Sequence, residues 1–483
     1  MKICVLQPDY ARSTVDYQHY DPARDLARLV PEHEVYHVAL DKRSTYRQLK
    51  ALAGAGYDIF VNLCEGYLEW DIPSIDVIHT LELLHLPYTG PTPTLYNPTK
   101  PLMKYVAHTV GVPSAAHVLV RAAHADADLA RAATTLRFPL FVKPSEAGDS
   151  LGIDAQARVA DAVALRAQVD KLLPEYPELL VEEYIAGREF TVLVVADPDG
   201  GCEAFRPVEY RFASGAPFKT YAHKTSELHP EANVAVTDAP LADRLKAAAC
   251  AVFGGFNAVG YARMDFRMNA AGELFFLEVN FACSVFYADG YEGSADYIVK
   301  HDGIGQRGFL LRIIAEGIAR HARRQTCYEM RGSAISGYGI YAVRAIAAGE
   351  TIFRGEGRSQ RITTRPHVRA HWTDAQRELF KHYAYPLSDE VYVLWSDEPS
   401  DWAPQNHSCS PNTGFRGLDV VALQAIAADT ELTIDFAELL NEEAASFPCR
   451  CGSAACRGTI RGTPGNSVTR RIARPQADSG NSI

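Results

Sequence analysis

Short apolar runs and amphipathic segments alternate along the first 90 residues of the chain. The apolar runs predict three strands, and the amphipathic segments predict three helices. The predicted strands are 2–7, 34–40 and 57–63, and the predicted helices are 22–30, 44–53 and 72–84. This rhythm is typical of βαβ units, whose parallel strands are covered by helices. The pattern therefore predicts an α/β domain at this end of the chain.

The pattern changes twice further along. Helix signals at 100–110, 241–253 and 309–320 enclose five predicted strands, at 138–143, 179–185, 189–196, 261–268 and 273–280. From Tyr328 onward the chain has short strand signals, many glycines and few long helices. The basic cluster at 321–325 is interpreted as a linker, which places the main boundary near residue 325. The polar stretch 462–483 is predicted to be disordered.

Composition narrows the class of protein. A length of 483 residues predicts about three domains, and 47% apolar with 22% charged residues is typical of a folded, soluble protein. The net charge of −11 argues against a dedicated nucleic-acid binder. The sequence has no apolar run of membrane-spanning length, and residues 1–13 lack the features of a signal peptide. These patterns predict a cytoplasmic protein.

Four of the ten cysteines lie near the C-terminus, and the other six are scattered and are interpreted as small buried side chains. Cys449, Cys451 and Cys456 form a C-x-C-x4-C run, and Cys409 precedes them. Thiolates this close together in a reducing compartment suit tetrahedral Zn²⁺. The alternative, four unrelated core cysteines, is disfavoured because glycine and arginine surround the run. The pattern therefore predicts a zinc site.

Two segments of the first half could contact a nucleotide. Lys143 ends a predicted strand, and the loop after it contains Gly148 and Gly152, so a point charge and backbone N–H groups could meet a phosphate. An exposed β-turn explains this segment equally well. The second segment, 181–190, combines strand signals with carboxylates that could hydrogen-bond adenine and ribose. A solvated hairpin is the alternative there.

A third segment predicts a magnesium site. Glu278 and Asn280 alternate on one strand and so share a face, which Asp265 on the preceding strand can join. Three oxygen ligands on neighbouring strands suit Mg²⁺. Arg263 shares the face of Asp265 and could stabilise an oxyanion. Surface charges are a poor explanation, because apolar residues surround these positions.

In this order, the three segments resemble the ATP-grasp superfamily, specifically the D-alanine–D-alanine ligase branch, over residues 1 to 320. Pro87-Tyr88-Thr89-Gly90, the Lys100–Lys104 spacing and Gly111-Val112-Pro113 also fit that branch. The resemblance implies an ATP-grasp fold of three subdomains that uses ATP and Mg²⁺ to join a carboxylate to an amine through an acyl phosphate. The implied ATP contacts are Lys100, Lys143, Ser150, Glu182, Glu183, Ile185 and Glu189. The implied magnesium ligands are Asp265, Glu278 and Asn280, with Arg263, Lys224 and Ser284 in catalytic positions.

The departures from that branch concern the two substrates. Asp149-Ser150 stands where the branch has paired serines, Cys283-Ser284 replaces its Pro-Gly, and 62–71 replaces its histidine–glycine stretch. An aspartate repels a carboxylate and attracts an ammonium. The sequence therefore predicts an amino-acid or small-peptide ligase that does not make D-alanyl-D-alanine and that takes a cationic substrate through Asp149.

A second resemblance covers residues 328 to 462. The strings 336–342, 406–412 and 431–436, together with the cysteine run, look like a SET domain with a post-SET zinc segment. The resemblance implies binding of S-adenosylmethionine by Gly337, Tyr338, Gly339, Asn406 and His407, and Zn²⁺ on the four cysteines. The family usually has tyrosines where this chain has Ile434 and Phe436, which lines the substrate channel. Tyr392, or else Tyr383 or Tyr385, is predicted to supply the missing catalytic hydroxyl.

The resulting fold class is an α/β ATP-grasp fold followed by a mostly-β SET domain. The predicted domains are 1–95 (N-terminal α/β), 96–187 (central ATP-grasp), 188–322 (C-terminal ATP-grasp), 326–441 (SET), 442–462 (post-SET) and 463–483 (tail).

The leading hypothesis is a bifunctional ligase and N-methyltransferase that acts on small amino-acid or peptide substrates, on a lysine-type amine, or on a protein lysine. The alternatives are a ligase with a non-catalytic SET module, and a protein-lysine methyltransferase with an inactive ATP-grasp scaffold. The ligase branch is often dimeric, so a homodimer is an open possibility. No membrane or nucleic-acid partner is expected.

Overall fold

The computed structural model describes residues 1–12, 21–66, 70–146, 151–212, 232–324, 326–355, 360–388, 390–395, 405–440 and 445–462. The chain divides into two compact units, Met1–Arg324 and Gln325–Ile483. The predicted tail at 463–483 lies outside the described residues. None of the helices in the described ranges is both long and apolar enough to span a membrane.

The first unit begins with a parallel three-stranded sheet in the order β2–β1–β3. Its elements are β1 (Lys2–Pro8), β2 (Glu34–Leu40), α1 (Thr45–Ala53), β3 (Ile59–Asn62) and α2 (Ile75–Leu83). The central strand β1 is buried on both faces, which explains its continuous apolar run. The predicted strands, the parallel pairing and the helices after β2 and β3 are confirmed.

The helix predicted at 22–30 is wrong, because the structure has only turns there. The Gln7 side chain donates to the Arg24 carbonyl at 2.9 Å and accepts from the Arg24 N–H at 2.7 Å. The Leu26 N–H donates to the His37 ring at 3.0 Å. Side chains from β1 and β2 thus occupy the backbone groups that a helix would need, and tertiary structure overrides the local signal.

Two further sheets complete the first unit. The four-stranded sheet, in the order β4–β7–β5–β6, packs on helices α4 and α5. The helices and strands of this part of the chain are α3 (Lys100–Thr109), β4 (His117–Arg121), α4 (Ala125–Thr135), β5 (Leu140–Pro144), β6 (Arg158–Val159), α5 (Ala162–Leu172) and β7 (Glu178–Glu183).

The larger sheet is antiparallel, with the order β11–β10–β8–β12–β13 and β9 paired to β8. Its elements are β8 (Arg188–Ala196), β9 (Cys202–Ala204), β10 (Val208–Tyr210), β11 (Asn233–Ala235), α6 (Ala239–Gly255), β12 (Tyr261–Met268) and β13 (Leu274–Asn280), followed by α7 (Ser294–Asp302) and α8 (Gly305–Arg324). One sheet face packs on α6 through Met264, Phe276 and Val279. A register shift after Asp265 lets Phe276 and Val279 share this face, while Asp265, Glu278 and Asn280 point to the opposite face.

The second unit consists mainly of small sheets, as the glycine-rich pattern predicts. Its strands are β14 (Tyr328–Gly332), β15 (Tyr338–Ala342), β16 (Thr351–Phe353), β17 (Gln360–Thr364), β18 (Tyr385–Pro386), β19 (Val391–Trp395), β20 (Asn406–His407), β21 (Thr413–Arg416), β22 (Asp419–Ala422), β23 (Thr433–Ile434), β24 (Phe447–Pro448) and β25 (Thr459–Ile460). Helices α9 (Arg365–His371) and α10 (Asp374–Tyr383) pack beside β17 and β19. Strands β20 and β23 pair in parallel, which brings the two most specific sequence strings of this unit together.

Candidate active sites

The predicted magnesium ligands of the first unit, together with Arg263, share one face of the β12–β13 pair, which we call the magnesium-type face. Arg263 lies opposite Asn280, and Asp265 lies opposite Glu278 in the strand register. All four are half-buried, and the neighbouring positions 264, 276 and 279 are buried on the other face. Arg263 Nη2 donates to Asp265 Oδ2 at 3.3 Å. Although burial alone would lower it, the pKa of the Arg263 guanidinium is raised by Asp265, Cys283 and Glu278, so the arginine stays charged.

One of the predicted magnesium ligands on this face lacks a hydrogen-bond partner. Asn280 Nδ2 is buried and has no partner among the described residues. The oxygens of Asp265, Glu278 and Asn280 come from neighbouring strand positions and are the hard ligands that Mg²⁺ takes. The residues present therefore fit a magnesium ion.

A buried ion triplet joins the two central strands of the four-stranded sheet to helix α3. Glu182 on β7 accepts from Lys143 Nζ at 2.6 Å and forms an ion pair with Lys104 Nζ at 2.7 Å. The three side chains are at most 7% exposed. Burial would raise the pKa of Glu182, but the two lysines outweigh it and lower the pKa to about 2. The triplet carries a net positive charge in a buried position, which suits a phosphate or another anion.

The residues after Glu182 are held by different partners. Glu183 pairs with the exposed Arg137 at 3.1 Å, and its backbone N–H donates to the Ala116 carbonyl at 2.9 Å. Glu189 on β8 pairs with Arg267 on β12 at 3.0 Å, and both are buried. Arg267 also donates to the Ile185 carbonyl at 2.9 Å and lies over the Tyr184 ring. Arg267 thus connects the predicted adenine and ribose segments.

Lys100 begins α3 and is buried, and its backbone N–H donates to the Ser145 carbonyl at 3.2 Å. Ser284 follows β13, and its hydroxyl donates to the Glu65 carboxylate. Asp149, Ser150 and Lys224 lie outside the described residues. Their assigned roles therefore stay predictions.

In the second unit, Asn406 holds the glycine turn that precedes and begins β15. Its side-chain amide donates to the carbonyls of Ser336 at 3.2 Å and Tyr338 at 3.1 Å, and to Glu431 Oε1 at 2.8 Å. Gly337 has a φ of +50°, in the left-handed region that glycine adopts most easily. A Cβ on Gly339 would lie 2.2 Å from Glu431 Oε1, so a side chain at this position would displace the Glu431 carboxylate. Asn406, the turn and Glu431 therefore form one polar pocket wall.

His407 connects this wall to the cysteines. Its Nδ1 accepts from the Phe436 N–H at 3.0 Å, and its Nε2 lies 3.3 Å from Cys409 Sγ. The Phe436 ring packs beside His407 and Phe447. Tyr392 is 1% exposed and packs against Phe380 in the core of this unit. The side chain of Tyr383 lies outside the described part of the chain.

The four predicted zinc ligands converge. The sulfurs of Cys409, Cys449, Cys451 and Cys456 all lie within 4.8 Å of one another. The Cys409–Cys449 sulfur separation is 3.8 Å. Zn–S bonds of about 2.3 Å at tetrahedral angles place sulfurs roughly 3.8 Å apart. The cluster is thus compatible with a tetrahedral zinc ion.

Comparison with known proteins agrees with both halves of the architecture. A family model described as the C-terminus of D-ala D-ala ligase matches residues 106–284, and the SET domain model matches residues 337–437. A D-alanine–D-alanine ligase of Herminiimonas arsenicoxydans is 30% identical over 242 residues, which cover 48% of this chain and 69% of that protein.

The first unit belongs to the D-alanine–D-alanine ligase family. The second carries a SET domain. Another ligase of this family, from Pseudomonas fluorescens, is 32% identical over 214 residues, 42% of this chain and 59% of that protein. The chain spans about three fifths of the length of several curated relatives that it matches.

The fold of the ligase unit is shared with a solved structure, the D-alanine–D-alanine ligase from Coxiella burnetii. That structure is 18% identical, covers 67% of this chain and 96% of its own chain, and has a TM-score of 0.50. The predicted fold class, an ATP-grasp ligase fold followed by a SET domain, is confirmed.

Two residues of the ligase unit and one of the SET domain lie at these sites without having been assigned a role from the sequence. They are Lys104 beside Glu182, Arg267 beside Glu189, and Glu431 beside Asn406. Lys104 belongs to the Lys100–Lys104 spacing, and Glu431 begins the 431–436 string. Both could therefore have been proposed as site residues from the sequence. Arg267 follows Asp265 by two residues and shares its strand face by alternation. Its partner on β8, however, is known only from the sheet pairing.

Proposed function

We propose that the protein is a bifunctional enzyme. The first unit joins a carboxylate to an amine with ATP, and the second moves a methyl group from S-adenosylmethionine to a lysine-type amine. The observation that carries the ligase function is the face shared by Arg263, Asp265, Glu278 and Asn280. Cationic and oxygen-rich side chains on one sheet face provide what phosphoryl transfer needs, which is positioning and charge neutralisation.

The nucleotide end of the proposed site is formed by the Glu182 triplet and the strand that follows it. Lys143 and Lys100 contact the phosphates, Glu182 and the backbone of 183–185 contact adenine, and Glu189 contacts the ribose. The support is that Lys143 on β5 is paired with Glu182 on β7, and that Arg267 connects Glu189 on β8 to the Ile185 carbonyl. Ser150 and Lys224 complete the phosphate contacts in this proposal.

Asp265, Glu278 and Asn280 would hold Mg²⁺. When bound, the ion supplies charge neutralisation at the phosphate oxygens. A substrate carboxylate oxygen attacks the γ-phosphorus, the bond to the β,γ-bridging oxygen breaks, and ADP leaves. An amine nitrogen then attacks the acyl carbon, inorganic phosphate leaves, and the amine proton passes to phosphate or water. Arg263 stays charged beside this face and stabilises the oxyanion of that second step.

Glu278→Gln tests the ligase proposal in the full chain with ATP, MgCl₂ and an amino-acid pool. We expect ADP release to fall by about 10²-fold, because one anionic oxygen ligand is lost. Glu273→Gln is the matched control, since Glu273 is exposed in the turn of the same hairpin, where it accepts from Asn269 Nδ2 at 2.7 Å. Mass spectrometry of the wild-type reaction should show a condensed product. Equal ADP release by the two variants would contradict the assignment.

The polar wall of the SET domain supports binding of S-adenosylmethionine by Gly337–Gly339, Asn406 and His407. When bound, this cofactor supplies the methyl group. Phe436 and Ile434 offer no hydroxyl near His407, so alignment of the amine must come from the channel walls. Tyr392 stays the predicted hydroxyl donor. Because Tyr392 is buried, this role requires that the methyl-accepting amine can reach its hydroxyl.

The same absence of a hydroxyl at 434 and 436 favours a second candidate, a SET module that binds without transferring methyl groups. Incubation of the full chain with labelled S-adenosylmethionine and the condensed product separates the two. Label in the product supports the methyltransferase. Binding of S-adenosylmethionine without label in either the product or a lysine-containing peptide supports the binding module.

A further inference from the structure

A second polar group of side chains lies in the ligase unit beside the magnesium-type face. We call it the Arg24 cluster, and it consists of Tyr10, Asp21, Arg24, Glu65, Ser284 and Tyr287. Tyr10 follows β1, and Glu65 follows β3. Because β1 and β3 are parallel, their carboxyl ends meet at one edge of the sheet, where α/β proteins bind their ligands.

The strand that carries Asn280 leads directly into this cluster. Ser284 follows Asn280 by four residues, a span of up to about 13 Å in extended chain. A molecule whose carboxylate is at the magnesium-type face can therefore place a group several bonds away against the cluster.

Arg24 forms the buried centre of the cluster. Its Nη2 pairs with Asp21 at 3.0 Å and its Nη1 with Glu65 at 3.1 Å, and these nitrogens also donate to two backbone carbonyls. The Tyr287 ring covers one face of the guanidinium, at 4.9 Å. The Arg24 side chain is 1% exposed, whereas those of Asp21 and Glu65 are 15% and 16% exposed. The carboxylates therefore form the accessible side, with the arginine behind them.

The charges in the cluster do not balance. When both are ionised, Asp21 and Glu65 carry two negative charges against the single positive charge of Arg24. Burial raises the pKa of Tyr10 and Tyr287, so both phenols stay neutral. Burial raises the pKa of Glu65 to about 7 in spite of Arg24, and Asp21 adds to this effect. An uncompensated negative charge in a poorly solvated place is costly, and a cation placed there removes that cost.

The hydrogen bonds of the cluster are also incomplete. Arg24 Nε is buried and has no partner among the described residues. A buried donor without an acceptor costs about 1–3 kcal/mol. A polar molecule, or water that accompanies it, is therefore needed to complete the cluster.

We infer that the Arg24 cluster binds the side-chain ammonium group of the carboxylate substrate, with Glu65 and Asp21 as its counter-charges. This inference rests on the proposed ligase function and names its substrate class, which is an amino acid with a basic side chain. Ser284 orients the Glu65 carboxylate, and Arg24 fixes the spacing of the two acids.

The test compares lysine and ornithine with norleucine, which has a similar length and no side-chain charge. In ADP-release assays of the full chain we expect kcat/KM to be about 10–100-fold higher for the basic amino acids. Charge-assisted hydrogen bonds stabilise a bound group more than an uncharged contact does, by a free energy that corresponds to this factor. Glu65→Gln should reduce that preference to a few-fold, mainly by raising KM for lysine. Asp25→Asn is the control. Asp25 is exposed and next to Arg24 in sequence, so this variant should keep the preference for basic amino acids.

A thermal-unfolding measurement without ATP separates this inference from the ligase proposal and also reports whether the variants fold. Lysine should raise the Tm of the wild-type chain more than norleucine does, and Glu65→Gln should remove that difference. Turnover with equal preference for norleucine would overturn the inference and leave the ligase function intact. If no amino acid supports ADP release and lysine does not change the Tm, both are overturned.

Discussion

At the residue scale, Glu182 is the carboxylate that forms ion pairs with two buried lysines, Lys104 and Lys143. Glu182→Gln leaves Lys104 and Lys143 without a counter-charge, and removing one partner of a buried ion pair costs about 3–5 kcal/mol. We expect the free energy of unfolding, measured with urea at pH 7, to fall by about that amount. Glu183→Gln is the control, because its partner Arg137 is exposed and little change should follow.

The pH dependence of this effect has a defined sign. The pKa of Glu182 is about 2 in the folded protein and 4.5 in its ordinary state. Its stabilising contribution is therefore fully present above about pH 4.5 and is lost as the pH falls toward 2. The gap in unfolding free energy between wild type and Glu182→Gln should narrow as the pH falls from about 4.5 toward 2. A constant gap over that interval would show that Glu182 is not the titrating group.

At the scale of elements, the sequence predicts most strands of the ligase unit because their apolar runs are long and central. The strand at 261–268 has the same bounds in the structure, and β1 extends the prediction by one residue. The face that Glu278 and Asn280 share follows from alternation, whereas the alignment of Asp265 with Glu278 is set by the strand pairing and the register shift beside it. The segment 22–30 could not be predicted, since its backbone bonds go to Gln7 and His37 on other elements. For the same reason, the Arg24 cluster is visible only in three dimensions.

The turn into β15 permits a second test at this scale. Gly339→Ala would place a Cβ 2.2 Å from Glu431 Oε1, which accepts from Asn406 at 2.8 Å, while Glu431 Oε2 accepts from Tyr341 at 3.2 Å. Glu431 must therefore move and give up these contacts. We expect the affinity for S-adenosylmethionine, measured by calorimetry, to fall about tenfold, equivalent to about 1.4 kcal/mol.

Gly332→Ala is the matched variant on the paired strand β14. It lies opposite Tyr338, and an added Cβ there meets nothing within 4 Å. Its affinity for S-adenosylmethionine should equal that of the wild type. An unchanged affinity in Gly339→Ala would remove the polar wall from the proposed cofactor site.

At the scale of the whole molecule, the chain divides into Met1–Arg324 and Gln325–Ile483, and the proposed zinc ligands all belong to the second unit. The sulfur of Cys409 contacts His407 at 3.3 Å, and Arg457 connects Cys409 to Asp435. His407 in turn accepts from the Phe436 N–H at 3.0 Å. Zinc binding and the order of the proposed methyl-transfer site are thus connected by direct contacts within one unit.

Removal of zinc should therefore separate the two proposed activities. We expect chelation of the full chain, with metal loss verified by elemental analysis, to weaken S-adenosylmethionine binding by tenfold or more, because thiolate–zinc bonds contribute folding free energy to this unit. ADP release should stay within twofold of its original rate when Mg²⁺ is restored, since the ligase residues belong to the first unit. Addition of zinc should recover binding. If the zinc-free chain bound S-adenosylmethionine with unchanged affinity, the contacts through His407 and Arg457 would not hold the site, and the cysteine cluster would stabilise only its own segment.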